Sequence, residues 1–414
     1  MMHRRGAFFF PLVVLLAGAS LIREAAVGVL APVEETWGAM LAQHLTNSAD
    51  PAPLTLVQIS DDTLGKHVWP WQAEDFAVFF HAALPFEPAV IGIEPVLEFE
   101  RGALAGDERG GLFEKMLHDG ILRTPKLVLG GRLGWSRDSD LVQELQPMPV
   151  LHHIRGDLAR LPAFTAVENW AEEDYRLSTK PGWMNVPDSI GPRGTCPLLL
   201  RYRGQPVPTM ALQLAIQWAK VTADEVEITL GSHIALGSAI RIPIDDEGRM
   251  LVNFGAHFDR VSYDELLLAR EQKEHGETPA LPAAYLRDRV LLLARSDTNS
   301  GLLATPTATH ISPGELTAAA LATIQLGTHP HTIGAWFSWL FILLAAAAAY
   351  WVPRLKSARM ALLVIAAESA YLLAALYIFK TTHTELPGVL PLGLTLWLLL
   401  LRVFAKRIQR VIAF

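Results

Sequence analysis

Residues 54–71 read LTLVQISDDTLGKHVWPW. The first six cluster Leu, Val and Ile, as a strand covered on both faces does. The run stops on Ser60-Asp61-Asp62, and a Trp69-Pro70-Trp71 corner follows. Three other runs share this character: 89–93 AVIGI, 126–130 KLVLG and 289–294 RVLLLA. Between the first two runs lies 73–84, AEDFAVFFHAAL, with apolar residues at helical spacing. Strand, helix, strand at this separation is a βαβ unit. The spacing therefore predicts an α/β domain with a partly parallel, mixed sheet.

Three of these strands run into acids: the first into Asp61 and Asp62, the second into Glu94, the fourth into Asp297. In a parallel sheet the carboxyl ends of the strands share one edge, where ligands sit. Carboxylates gathered there could hold a hard cation such as Mg²⁺ or Ca²⁺, or bind the hydroxyls or amines of a small ligand. Whether a metal is used stays open. The alternative is folding chemistry, with Ser60 or Asp61 capping a helix and Asp297 shaping a turn. Pro70 fixes its own φ and presents Trp69 and Trp71 rigidly before the helix. The two indoles either plug the base of that helix or contact the ligand. Further along, 208–220 reads as a helix. Residues 239–254 read as a hairpin turning at Asp245-Asp246-Glu247-Gly248. Residues 130–195 and 268–283 are rich in Pro, Gly and charge and read as loops.

The ends of the chain are different. Hydrophobic residues make up 51% of the 414 residues, mean hydropathy is +0.26, and the excess sits at the two termini. Residues 7–22 form an apolar run behind Arg4 and Arg5, either a signal peptide or an uncleaved anchor. The anchor is preferred because 335–352, 360–379 and 387–405 are each about long enough to cross a bilayer. Trp336, Trp339, Tyr350 and Trp351 flank the first of these three, as interface belts do. Arg4 and Arg5, then Arg354, Lys356 and Arg359, then Lys406, Arg407 and Arg410 fall on one side of a four-span topology. The positive-inside rule makes that side cytoplasmic, so the middle lies outside. The expected segments are an anchor (1–23), a juxtamembrane helix and linker (24–53), the domain (54–333) and a three-helix membrane part with a short cytoplasmic tail (334–414). Glu368 lies near the middle of the third span, where an ionisable group is costly and marks either function or helix packing. Near Ser338 it could pack as a protonated acid.

Several classes are set aside. Net charge is −7 and no basic block interleaves with aromatics, so nucleic acid is not an expected partner. Cys196 stands alone and makes no disulfide within the chain. No H-E-x-x-H, G-x-S-x-G, Walker or G-x-G-x-x-G pattern occurs. No enzyme activity and no cofactor are expected, and a metal-dependent hydrolase is the weakest option. His152-His153 and His329-Pro330-His331 are the close histidine groups; the latter reads as interfacial, and Arg201 with Arg203, which could meet an anion, reads more simply as a solvated strand face.

The ordered motifs resemble the CHASE type-2 sensory domain. Val57-Gln58-Ile59-Ser60-Asp61-Asp62-Thr63-Leu64 and Trp69-Pro70-Trp71 match its opening. Ile91-Gly92-Ile93-Glu94 matches its next strand, Pro208-Thr209-Met210-Ala211-Leu212 a helix start, and Val252-Asn253-Phe254 a later strand, with Ser262-Tyr263-Asp264-Glu265-Leu266 behind it. Val290-Leu291-Leu292-Leu293, Thr305-Pro306 and Pro313-Gly314 follow in order. Ser60 stands where an acid is usual, Glu94 where Asp is, and Glu315-Leu316-Thr317-Ala318-Ala319 replaces the Glu and His that follow Pro-Gly. The resemblance implies a multi-pass protein of a bacterial inner membrane, in contact with lipid, whose outer domain binds a small ligand or envelope component. With Phe414 as its end, the expectation is a sensor without its own output, acting in signal transduction through a separate membrane signalling protein. The rival is an envelope scaffold or assembly factor, and a homodimeric state stays open.

Overall fold

Leu54–Ile59 forms the first strand, β1, and every residue in it except Gln58 is buried. The computed structural model describes residues 2–43, 50–99, 108–135, 151–176, 178–307, 309–349 and 357–412. Along the chain, helices α1 (Met2–Val27) and α2 (Ala31–Ala42) precede β1. Then come α3 (Ala73–Ala83), β2 (Val90–Ile93), α4 (Glu108–Arg123), β3 (Leu127–Gly134), β4 (Ala166–Trp170) and β5 (Lys180–Trp183). Next are α5 (Met210–Ala219), β6 (Asp259–Ser262), α6 (Tyr263–Glu274), β7 (Val290–Arg295) and α7 (Pro313–Leu326). Helices α8 (Ala335–Ala349), α9 (Ser357–Thr382) and α10 (Val389–Ile412) end the chain. Two units result: Thr46–His329, and Met1–Leu45 with Pro330–Phe414.

In the first unit the main sheet has the order β6-β1-β7-β2-β3-β4, with β5 also paired to β3. β6, β1, β7, β2, β3 and β5 are mutually parallel, and β4 alone runs antiparallel. The four strands read from their apolar runs are thus consecutive neighbours, and the sheet is mixed as expected. Side chains alternate between two layers. Val57, Ile59, Ile91, Ile93, Leu291 and Leu293 face α3, α4 and α6, with Phe76, Phe79, Phe80 and Leu117 packed on them. Leu54, Leu56, Val90 and Leu292 face α5 and α7, with Leu212, Leu214 and Leu316. Gly92 is the close-approach point of α5, since a Cβ there would lie 2.9 Å from Leu214.

Three expectations are corrected. The turn at 245–248 forms, with the Asp245 carboxylate accepting from the N–H groups of Glu247 and Arg249, both at 2.9 Å. Its arms then part: Ile240–Pro243 pairs with His233–Leu236, and Arg249–Leu251 with Thr195–Pro197. Pro243 has no N–H with which to continue a ladder. Residues 130–195 contain the end of β3 and all of β4 and β5, although 136–150 lie outside the described residues. Residues 268–274 belong to α6, which Ser262 and Glu265 start with a reciprocal capping box.

The second unit packs α1 against α8 and α10 through Val14, Ile342, Ala346, Leu390, Leu394 and Leu398. The apolar stretch after residue 24 is not one continuing helix. α1 and α2 meet at 73°, where Val29 N–H donates to the Glu24 carboxylate at 3.1 Å and Pro32 starts α2. Of the four apolar segments, Ala358–Thr382 is a helix long and apolar enough to cross a membrane. Pro11–Ala26 qualifies only as a bent pair with Ala31–Ala42, and Trp336–Ala349 and Val389–Leu401 are shorter. Residues 44–49 of the linker, and Tyr350, Trp351, Arg354 and Lys356, lie outside the described residues.

The start of α10 is held by three side chains. Trp37 Nε1 donates to the Leu386 carbonyl at 2.8 Å, and the Tyr371 hydroxyl donates to the Pro387 carbonyl at 2.6 Å. The Glu34 carboxylate accepts from Gly388 N–H at 2.9 Å and Val389 N–H at 2.7 Å. A carboxylate suits a helix N-terminus, where free N–H groups and the dipole favour negative charge. Gly388 fits against the Trp37 indole, where a Cβ would lie 2.4 Å from the ring. Glu368 shares the less exposed face of α9 with Val364, Tyr371 and Ala375. It makes no hydrogen bond, to Ser338 or otherwise, among the described residues.

Candidate ligand-binding site

Because β1, β7 and β2 are parallel neighbours, their carboxyl ends bring Ser60-Asp61-Asp62, Arg295-Ser296-Asp297 and Glu94 to one edge. The centre of this edge is Arg295, the last residue of β7. Its Nε donates to Asp297 Oδ1 at 2.8 Å and its Nη2 to Oδ2 at 2.7 Å. Its guanidinium lies over the Trp69 ring, 4.4 Å from the centroid, a favourable cation–π geometry. Its backbone N–H donates to Glu94 Oε2 at 3.2 Å. Trp69, Glu94 and Asp297 are therefore drawn together through one arginine.

Asp297 is fully buried. Burial alone would push its pKa up, but the hydrogen bonds and charge of Arg295 outweigh this and hold it below the usual carboxylate value. Glu94 goes the other way. Burial pushes its pKa up, against the hydrogen bond and charge of Arg295. Asp297 also organises the loop beyond β7: its carboxylate accepts from Asn299 N–H at 3.1 Å and its carbonyl from the Ser300 hydroxyl at 2.6 Å. Asp61 holds the same loop from β1, accepting from the Thr298 N–H at 3.2 Å and the Thr298 hydroxyl at 3.1 Å. Ser60 caps the turn Asp61–Leu64 by accepting from Thr63 N–H.

The remaining candidates are placed differently. Asp62 is exposed. Trp71 points into the core, 3% exposed, 4.6 Å from Tyr263 and 5.6 Å from Phe76 by ring centroids. The Trp69–Pro70 peptide is cis, and Trp69 stays partly exposed with its ring centroid 6.4 Å from that of Trp71. Arg203 stacks on Tyr202 and His331 meets Thr384 at 3.1 Å. Among the described residues no three His, Cys, Asp or Glu side chains are grouped to hold a metal ion.

Chemically, the guanidinium is already engaged by Asp297 and the aromatic ring. What the edge still presents is acceptor capacity, from Asp62 and the free lone pairs of Asp61, beside a partly exposed indole. Such a surface suits a ligand carrying hydroxyls or amines. Arg295 escaped the sequence reading because a charged residue at the end of an apolar run looks like a strand boundary. The signal available was its spacing of two from Asp297.

No curated protein and no solved structure matches the chain. The CHASE2 domain model matches residues 13–352. CHASE2 is a family of extracytoplasmic sensory domains and not an enzyme family. With most of its length covered by that match, the chain belongs to the CHASE2 domain family.

Proposed function

We propose that this protein is a sensor anchored in a bacterial inner membrane, with the domain built on the main sheet outside the cytoplasm. Membership in the CHASE2 family carries this reading. In it, α1, α8, α9 and α10 cross the bilayer, and the basic clusters at Arg4-Arg5 and Lys406-Arg407 face the cytoplasm. The ligand is a small molecule or envelope component with hydroxyl or amine groups, received by Asp61, Asp62 and Trp69 over the Arg295–Asp297 pair. Ligand binding signals only if it distinguishes two arrangements of the protein. The receiver is a separate signalling protein in the same membrane.

Crosslinking of the full-length protein in its native membrane, followed by identification of what co-purifies, tests this. Capture of a kinase, cyclase or other cytoplasmic signalling protein is the expected outcome. It should weaken in the Asp61→Asn, Asp62→Asn double variant if the edge sets the signalling state. Capture of envelope proteins alone, unchanged in that variant, refutes the sensor and leaves a scaffold.

A further inference from the structure

Two charges in the helical unit stand apart from any partner. Arg23 interrupts the apolar run Pro11–Ala26 of α1. It is exposed and makes no hydrogen bond or ion pair among the described residues. The carboxylate of its neighbour Glu24 is engaged by Val29 N–H at 3.1 Å. Glu368 of α9 is half-buried and likewise makes no hydrogen bond or ion pair among the described residues. The two therefore do not meet within one copy of the chain.

Both lie at one level of α10, on which α1 and α9 each pack. Leu21 meets Gly393, where a Cβ would lie 2.6 Å from its side chain, and Trp37, further along the chain, meets Gly388. Arg23, two residues beyond Leu21, thus falls beside the first turn of α10. On the other helix, the Tyr371 hydroxyl donates to the Pro387 carbonyl at 2.6 Å. α9 and α10 form a hairpin, so Glu368, about one turn back from Tyr371, falls beside the same first turn. That turn opens the apolar stretch Val389–Leu401.

In the reading in which α1 and α9 cross the bilayer, on which this inference rests, that level lies within the apolar layer. Hydrocarbon offers a guanidinium no acceptor, an arginine keeps its proton, and a charged group there is costly unless paired. At this level the described residues of α1 and α9 present one cation and one anion on two helices, and hold them apart. We infer that two copies of the chain pair in the membrane, Arg23 of each against Glu368 of the other. A two-fold axis makes this contact twice, because in a self-complementary interface each residue meets its counterpart in both directions. A second copy fits because it brings both signs of charge at matching depth. α10 adds an exposed ridge of Leu392, Leu396 and Leu400 on the helix that joins the two charged ones.

The test uses the full-length protein in phosphatidylethanolamine–phosphatidylglycerol liposomes, one portion carrying a donor dye at the C-terminus and another an acceptor. Energy transfer that falls when unlabelled protein is added is expected. Arg23→Gln and Glu368→Gln should each weaken self-association about tenfold, as loss of a polar contact between membrane helices does. The double exchange Arg23→Glu with Glu368→Arg restores the pair and should recover most of the transfer, while either exchange alone should not. If an exchange variant does not insert, the two Gln variants decide. Transfer unchanged in both of them overturns the inference. Labelling of Ser369→Cys with a membrane-impermeant maleimide separates this from the topology, since Ser369 is exposed beside Glu368. A shielded thiol with no self-association overturns the pairing alone, and leaves lipid headgroups or another protein's span to meet the two charges. A labelled thiol places that part of α9 outside the bilayer and overturns both readings.

Discussion

Arg295→Met is the perturbation that reads the candidate site most directly. It keeps the aliphatic stem over Trp69 and deletes the guanidinium. The Asp297 carboxyl is fully buried, and Arg295 supplies two of its hydrogen bonds, at 2.8 and 2.7 Å. Of the partners named above only the Asn299 N–H would remain. Removing one member of a buried ion pair leaves a charge without compensation and costs about 3–5 kcal/mol. At about 2–4 °C per kcal/mol, the expected loss is roughly 6–20 °C in Tm. The pH dependence follows from the direction of the Asp297 shift. In the wild type its pKa is held low, so the pair contributes fully above the ordinary value of about 3.9 and is lost as pH falls through the lower folded value. In the variant, burial without Arg295 raises it. The penalty is then present at neutral pH and shrinks as the pH falls toward about 4. The gap between the two proteins should be widest near pH 7. Adding Asp297→Asn to Arg295→Met should restore most of the loss, because a neutral amide does not need the cation. Pulse proteolysis in urea across pH 5–8 measures all of this on the full-length protein. A loss under about 1 kcal/mol, or a double variant no more stable than the single one, would refute the assignment of Arg295 and Asp297 as a buried pair.

Trp71→Ala should cost about 3–5 kcal/mol in the same assay, as deletion of a buried aromatic does, while Trp69→Ala should cost clearly less. Equal losses would deny their division into core and edge. The Cys196 thiol, buried and pushed up to about 12, should react with an aqueous thiol reagent only when the domain opens. Its labelling rate in the native protein should lie far below that in urea at every pH from about 7 to 9. Gly388→Ala should push the Trp37 indole away, since a Cβ would sit 2.4 Å from it. Engineered disulfide formation between α2 and the start of α10 should then slow, and an unchanged rate would show that the indole moves freely.

The central strands were legible because burial on both faces demands uninterrupted Val, Ile and Leu, and no other element of 4–6 residues carries that signature. Parallel pairing then followed from the helix between the first two, and the acidic edge from parallel pairing. The insertion of β7 between β1 and β2 was not legible, because nothing local to Val290–Arg295 names its neighbours. α6 was missed since it buries only Tyr263, Leu266 and Ala269 among many charges, a stripe too narrow to outweigh its composition. The parting of the strands around residues 245–248 was hidden because a good turn says nothing about what lies beyond it. At the site, Asp297 was visible as a strand-end acid. Its partner was not, because whether an arginine turns outward to water or back over an indole is set by packing, which no local pattern encodes.

The grip on Leu386, Pro387, Gly388 and Val389 has a mechanical consequence. Four successive residues are each held by a hydrogen bond, from Trp37 and Glu34 on α2 and Tyr371 on α9. A joint fixed at four consecutive links has no slack. N–H···O hydrogen bonds hold over a narrow range of donor–acceptor distance, about 2.7–3.2 Å, so a small displacement of α2 loads the three bonds from Trp37 and Glu34 together. The joint either carries α10 along or lets go at once. It transmits like a stiff coupling with a breaking load and not like a spring, so the end of the chain should register movement of α2 as a step.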